Sequence, residues 1–453
     1  MTETLTRDFV DLLSSWSADD PELVARCQLL VTDGVAVAVA GATERGPTLM
    51  AELMREDGTS GPATVIGQGF SAPVAIAARV NGMAMHVLDF EPMWNPANHA
   101  MSPLLPALLA LAEQREAASG EPQGRAVLRA LAKGIEVQGR LRVSSQQFEP
   151  GRLQFHPPGI VGPIASAFGC ATLLGLDAEA TTAAIGIAAS RTGGLLANVG
   201  SHTKALHCGD GAAHGLEAAQ LAQRGFTANP DALGNPRGWG NAFFGSNFDT
   251  AALLAPIGKG RALVPGPAWK LFPSQFATHY AITAALDIRA QIAQFDAARI
   301  RRIELRAPVM PYIDRPAPDS GLAGKFSWQY TATIALLDGA VEPESFTDQR
   351  RHADDVNAML GRFELTGDPS IVGDWENMFV EMTVHLDDGS VVATRCDAPI
   401  GSWRRPVAAA AVIAKATGLL ETTLGKDRAR AVLAASTQPP ERFSVRELMA
   451  TLR

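Results

Sequence analysis

Cysteine is scarce in this chain and scattered: Cys27, Cys170, Cys208 and Cys396 are the only four in 453 residues, and no two form a CxxC pair. That spacing excludes zinc-ribbon and iron–sulfur readings, which need ligands clustered along the chain. Disulfides are not expected, and the thiols read as small buried residues. Charge is thin too, at 19% of residues with a net of −8. There is no run of lysine and arginine and no basic stretch interleaved with aromatics, so nucleic acid is not an expected partner. An anionic ligand would have to be met by a few locally placed cations. No apolar run reaches the roughly 18 residues of a membrane-crossing helix, so no membrane partner is expected. The acidic opening MTETLTRDFVDLLSSWSADD lacks a basic flank ahead of an apolar stretch. It does not read as a signal peptide, and a cytoplasmic location is expected.

What the chain has is apolar bulk. At 47% apolar and 453 residues, it can build two domains with a large core and carry an oligomer interface. Apolar residues at three- and four-residue steps predict helices over 7–20, 22–41, 72–88, 102–118, 124–145 and 163–176, with a helical hairpin over 178–197. Small residues on both sides of VTDGVAVAVAGA imply close packing against other helices. From about residue 266 the texture changes. RIRRIELRA alternates as a half-buried strand does, and FVEMTV and SVVATRC flank Asp388-Gly389 as a hairpin. Residues 406–450 return to helix. The expected fold is mainly α with a smaller α+β domain: residues 1–265 and 402–453 form an all-helical domain, and 266–401 an α+β lid.

The densest chemistry lies in the stretch Asp89–His99, DFEPMWNPANH. It holds two carboxylates (Asp89, Glu91), Trp94, two amides and His99, and Pro92 and Pro96 make it a loop. His86, three residues before Asp89, can share a helix face with it. Ser102-Pro103 reads as a cap followed by proline at the first helical position, offering N-terminal amides to an anion. Further on, His156 precedes two prolines, and Lys204, His207 and His214 fall at steps that one helical face can carry. Gly209 and Gly211 thin that helix and suggest close approach of a neighbour. All three tyrosines (Tyr280, Tyr312, Tyr330) fall in the smaller domain and most histidines in the larger, so a site between the two would combine them.

His86-x-x-Asp89-Phe90, Trp94-x-Pro96-Ala97-x-His99, Phe155-His156-Pro157-Pro158, Thr203-Lys204-x-x-His207 with His214-Gly215, and Lys270-x-x-Pro273 with His279 occur in that order. In this the chain resembles the MmgE/PrpD family along essentially its whole length. The resemblance implies a large all-helical domain with a smaller α+β lid, usually as a homodimer. It implies one of three activities: 2-methylcitrate dehydratase, cis-aconitate decarboxylase or iminodisuccinate epimerase. It also implies that Asp89, His99, His156, Lys204, His279 and Tyr312 line the cleft. The central loop is closer to the decarboxylase form. That form carries a threonine where this chain has Met93 and a histidine where it has Asn95.

Dehydration, decarboxylation and epimerisation of polycarboxylates all develop carbanion character beside a carboxylate, and need a proton carrier plus cations. The expected roles are carboxylate binding for Lys204, proton transfer at carbon for His99 and support of a histidine by Asp89. His156 and His279 would bind carboxylate or act as the partner acid, and Tyr312 would donate from the lid. Trp94 and His207 complete the substrate-binding set. Histidine suits proton transfer because its ordinary pKa of roughly 6.5 lies near working pH. The reading is a cofactor-independent, metal-independent lyase for a small di- or tricarboxylic acid. The alternatives are an epimerase or isomerase of an iminodisuccinate-type dicarboxylate, and a non-catalytic ligand-binding or scaffold paralogue.

Overall fold

The structure is a computed structural model and describes residues 4–453. The first half is a stack of helices: α1 (Leu5–Ser15), α2 (Pro21–Gly41), α3 (Arg45–Glu56), α4 (Val74–Val87), α5 (Leu105–Ser119), α6 (Gly124–Ser144), α7 (Pro157–Leu174), α8 (Ala178–Ala189) and α9 (His202–Gln223). A short hairpin, β1 (Ala63–Val65) with β2 (Phe70–Ala72), lies between α3 and α4. The small helices α10 (Trp239–Phe244) and α11 (Thr250–Leu254) follow. α2 starts where Asp20 caps it with a carboxylate over the Glu22 and Leu23 amides and Pro21 opens its first turn. α2 and α7 are each long and apolar enough to cross a membrane, unlike what the apolar runs predicted. Both are largely buried among other helices, as core helices of that composition are.

The second half opens with α12 (Thr278–Gln291). A four-stranded sheet, ordered β4-β3-β5-β6, is built from β3 (Ile300–Pro308), β4 (Phe363–Asp368), β5 (Val380–Leu386) and β6 (Val391–Cys396). β3 pairs parallel with β4 and antiparallel with β5, with Ile303 opposite both Phe363 and Val384. Between β3 and β4 run α13 (Gly321–Gly324), α14 (Trp328–Asp338), α15 (Asp348–Arg351) and α16 (Asp354–Leu360). β5 alternates buried and half-buried residues, as its sequence does. α17 (Ala409–Leu424), α18 (Lys426–Ser436) and α19 (Val445–Ala450) pack on α2 and α5 and share the first half's core. A separate core spans residues 268–396 and takes in one residue of the central loop, Met93.

Several boundaries differ from the sequence expectation. No hairpin forms over 178–197: α8 stops at Ala189, and Arg191-Thr-Gly-Gly leads into extended chain. α7 begins at Pro157, not 163, because its first two positions need no amide donors and accept proline. α5 begins at Leu105, so Ser102 is not its cap.

Candidate active site

Three helix ends converge. α4 ends and releases the loop that starts at Asp89; α7 begins just after His156, which is its N-cap residue; α9 presents Lys204 in its first turn. Close glycine contacts set the spacing. A methyl on Gly209 would lie 2.3 Å from the Arg79 carbonyl of α4, and one on Gly215 would lie 2.3 Å from the Ser166 side chain of α7. The loop doubles back through an antiparallel bridge between Trp94 and Asn98, which returns His99 to Asp89. A second bridge, Met93 with Ala268, ties the loop to the segment carrying Lys270.

Asp89 is the hub. It sits in the left-handed region (φ 50°), which aspartate tolerates better than most residues. Its carboxylate accepts from Lys204 Nζ at 2.5 Å and from Lys270 Nζ. Burial alone would raise its pKa, but the two ammoniums outweigh it and hold the carboxyl well below the usual range. His86 Nε2 lies 2.9 Å from the same Lys204 Nζ, so this nitrogen accepts. Its Nδ1–H therefore donates to Glu91 Oε1 at 2.7 Å, while Glu91 Oε2 accepts the Ser102 amide at 2.7 Å. The acceptor at the start of the next helical segment is thus the protein's own Glu91 carboxyl. Burial pushes Glu91 up to about 8.

His99 is the less committed imidazole. Nε2 is 3.6 Å from Asp89 Oδ1, Nδ1 is 3.7 Å from Glu91 Oε1, and Nδ1 has no hydrogen-bond partner among the described residues. Burial lowers its pKa to about 3, against the raising pull of Asp89, so it is neutral near pH 7. His86 and His156 are also pushed well down, by burial first and Lys204 second. Their rings cluster, with His86 4.8 Å from His99 and 5.2 Å from His156, centroid to centroid.

Asp89, His99, His156, Lys204 and Tyr312 line one small cavity of about 70 Å³, with Met93, Gln275, Phe276, Phe326 and Trp375 completing much of its wall. Gln275 donates to the Tyr312 hydroxyl at 2.8 Å, leaving the phenolic proton free for the cavity; burial pushes that phenol up. His207 stands one layer back, its Nδ1 3.4 Å from His156 Nδ1. His214 turns away to the Arg191 carbonyl. Trp94 and His279, which sequence reasoning assigns to substrate binding, do not line the cavity. Trp94 donates to the Arg261 carbonyl, and His279 packs against Phe272 and Phe276 with Nε2 toward the Ser274 carbonyl. Of the two departures from the decarboxylase-like loop, Met93 touches the cavity, whereas Asn95 bonds Glu376 outside it.

Sequence reasoning gave no role to His86, Glu91 or Lys270. All three stand in or beside the quoted motifs, and an ionisable residue amid apolar neighbours was the available signal. His86, Glu91 and His99 lie close enough together to share a metal ion, as do His86, His156 and Cys208. Both sets use His86, whose two nitrogens are already taken by Glu91 and by the Lys204 ammonium. A cation there would have to displace or face that ammonium.

Profiles of two domains match the chain: the MmgE/PrpD N-terminal domain over residues 7–251 and the MmgE/PrpD C-terminal domain over residues 272–438. A cis-aconitate decarboxylase of Mus musculus is 32% identical over 418 residues, covering 90% of this chain and 85% of its own length. One of Homo sapiens is 33% identical over 391 residues, covering 85% and 81%. One of Aspergillus terreus is 23% identical over 426 residues, covering 88% and 85%.

Proposed function

The chain belongs to the MmgE/PrpD family, and from that premise we propose that it is a lyase that decarboxylates cis-aconitate or a close polycarboxylate, using only its own side chains. The observation that carries this reading is the setting of Lys204. An ammonium has three donors; Asp89 and His86 take two, and the third is left at the cavity wall beside His99 and His156.

In cis-aconitate, loss of the carboxylate on the methylene carbon sends the bonding pair into a new carbon–carbon double bond. The old double bond shifts its pair onto the alkene CH, where one proton must arrive. The products are carbon dioxide and a methylene-substituted dicarboxylic acid. The pair on that CH carbon delocalises into its attached carboxylate, so a cation held there stabilises the charge as it develops. Lys204 takes that role. His99 carries the proton: held neutral by burial, it is driven toward its protonated form when substrate carboxylates bring negative charge alongside. Tyr312 donates a hydrogen bond, and His156 orients a second carboxylate.

The cavity holds about two waters' share of liquid volume, so a substrate of this size enters only if the wall moves. Gln275, Phe276, Tyr312, Phe326 and Trp375 all lie within 266–401, which supports that segment as a lid over a body of residues 1–265 and 402–453. A homodimer in the cytoplasm, which the resemblance and composition imply, is part of the same proposal and is tested by sedimentation and by fractionation.

The test is proton NMR of cis-aconitate with the purified protein in deuterium oxide, with and without EDTA. The expected result is stoichiometric carbon dioxide and one deuterium on the former alkene carbon, unaffected by EDTA. Exchange without carbon dioxide would point to the epimerase chemistry. Neither exchange, elimination nor carbon dioxide from cis-aconitate and 2-methylcitrate would overturn the enzyme reading.

A further inference from the structure

Where α4 ends, three successive carbonyls, those of Leu88, Asp89 and Phe90, have no backbone amide as partner among the described residues. Each accepts instead from a lysine ammonium belonging to a different segment. Lys325 Nζ donates to Leu88 O at 3.2 Å, Lys270 Nζ to Asp89 O, and Lys415 Nζ to Phe90 O at 2.7 Å. All three side chains are enclosed: Lys270 is 0% exposed, Lys325 4%, and the Lys415 side chain 8%. Burying an ammonium is expensive, and a neutral carbonyl repays little of it. Lys415 is compensated by buried Asp33 at 2.9 Å, and Lys270 by the Asp89 carboxylate. Lys325 has a carbonyl and the face of Phe346.

The residue at the centre of this arrangement is in the left-handed backbone region, which a non-glycine residue holds only when its surroundings impose it. We propose that Lys325 and Lys415 are positioning residues for the reaction. Together with Lys270 they clamp the backbone on both sides of Asp89, so that its carboxylate meets Lys204 in the one orientation that leaves an ammonium proton for substrate. Lys270 and Lys325 come from the segment read as the lid and Lys415 from the tail helix α17, so the working geometry of Asp89 is completed only when both are seated on the loop. The inference rests on Asp89 and Lys204 serving the reaction proposed above.

Two variants test it. Lys325→Met removes the ammonium and keeps the stem. Lys415→Met is made together with Asp33→Asn so that no buried carboxylate is orphaned. Each should lower kcat about 10- to 100-fold with KM changed less than about threefold, because sub-ångström misplacement is felt in the reacting geometry more than in binding. Lys325→Gln, whose amide can still donate to Leu88 O, should recover much of the loss, and it serves if the methionine variant fails to fold. Amide hydrogen exchange over residues 87–94 should quicken in the methionine variants while exchange in α6 and α7 stays as in the parent. Folded variants with parental kcat, or unchanged exchange over 87–94, would overturn the clamp. A parent protein inert towards cis-aconitate would instead remove the proposed reaction, and the exchange comparison would still decide whether these lysines hold the loop.

Discussion

His99 and Lys204 face the same cavity but are held very differently, and their substitutions should fail in different ways. The His99 ring makes no hydrogen bond among the described residues, its nearest carboxylate oxygens lying 3.6 and 3.7 Å away. His99→Gln should therefore melt close to the parent while kcat falls on the scale of proton-transfer catalysis, about 10²–10⁴-fold. A near-parental kcat would take His99 out of the proton path. Lys204 is tied into the fold. Without it, Asp89 rests on Lys270 alone and His86 Nε2 loses its donor. From sequence alone Lys204→Ala is a binding variant with an intact fold. The structure predicts a stability loss as well, up to about 3 kcal/mol, because breaking a buried ion pair strands its partner. Urea melts read beside KM and kcat decide, and parental stability would show the pair to be dispensable. The central loop was legible because acid, base, aromatic and prolines share eleven consecutive positions, Asp89–His99. Lys325 and Lys415 were not. Their acceptors are backbone carbonyls more than 200 residues away, and a single lysine in an apolar stretch carries no period that points to one.

Among elements, α9 is the gauge block of the site. It packs against α4, which leads to Asp89, and α7, which follows His156, and it carries Lys204 itself. Gly209 and Gly211 read in the sequence as marks of close approach, and the neighbours are the Arg79 carbonyl and Pro103. Gly209→Ala would force α4 and α9 apart, since a new methyl cannot stand 2.3 Å from a carbonyl oxygen. Overpacking of this kind costs about 1–3 kcal/mol, and here the shift falls on the Lys204–Asp89 contact, so kcat should drop along with the melting temperature. A variant that melts lower with full kcat would show that the spacing has slack. Long periodic helices such as α2 and α6 were legible almost to their ends, as was the β5–β6 hairpin with Gly389 (φ 85°) in its turn. The three-residue strands β1 and β2 and the parallel strand β4 were not. Short strands show too few alternations to register, and β4 is specified by a partner some sixty residues back, with no local turn.

For the molecule as a whole, the buried site should make stability depend on pH in a stated direction. Burial pushes His86, His99, His156 and His279 down, His99 to about 3. On unfolding, each regains an ordinary pKa near 6.5 and takes up a proton below it. Stability from these groups is therefore complete above about pH 6.5 and is lost as pH falls. Three buried carboxyls oppose the trend, because their raised pKa values let the folded state hold protons that the unfolded state gives up: Glu91, raised to about 8, Asp33 and Glu113. Near pH 5 the four histidines, less at most one proton for each carboxyl, leave the unfolded chain with at least about one proton more. That is a loss of roughly 1.4 kcal/mol per pH unit. The melting temperature should be nearly level around pH 7, where the unfolded histidines together take up only about one proton and Glu91 alone retains most of one, and should fall from about pH 6 to pH 5. A flat or rising curve between about pH 6 and pH 5 would mean the histidines are already charged in the native protein. Binding should run the linkage in reverse. A polycarboxylate placed among His99, His156 and Lys204 favours imidazolium, so its binding near pH 7 should take up protons. That uptake is measured by titration calorimetry in two buffers of different ionisation enthalpy, using the His99→Gln variant to suppress turnover. With His99 gone, uptake passes to His156 and should diminish without vanishing. Binding with no proton uptake at all would place the anion somewhere other than beside these histidines.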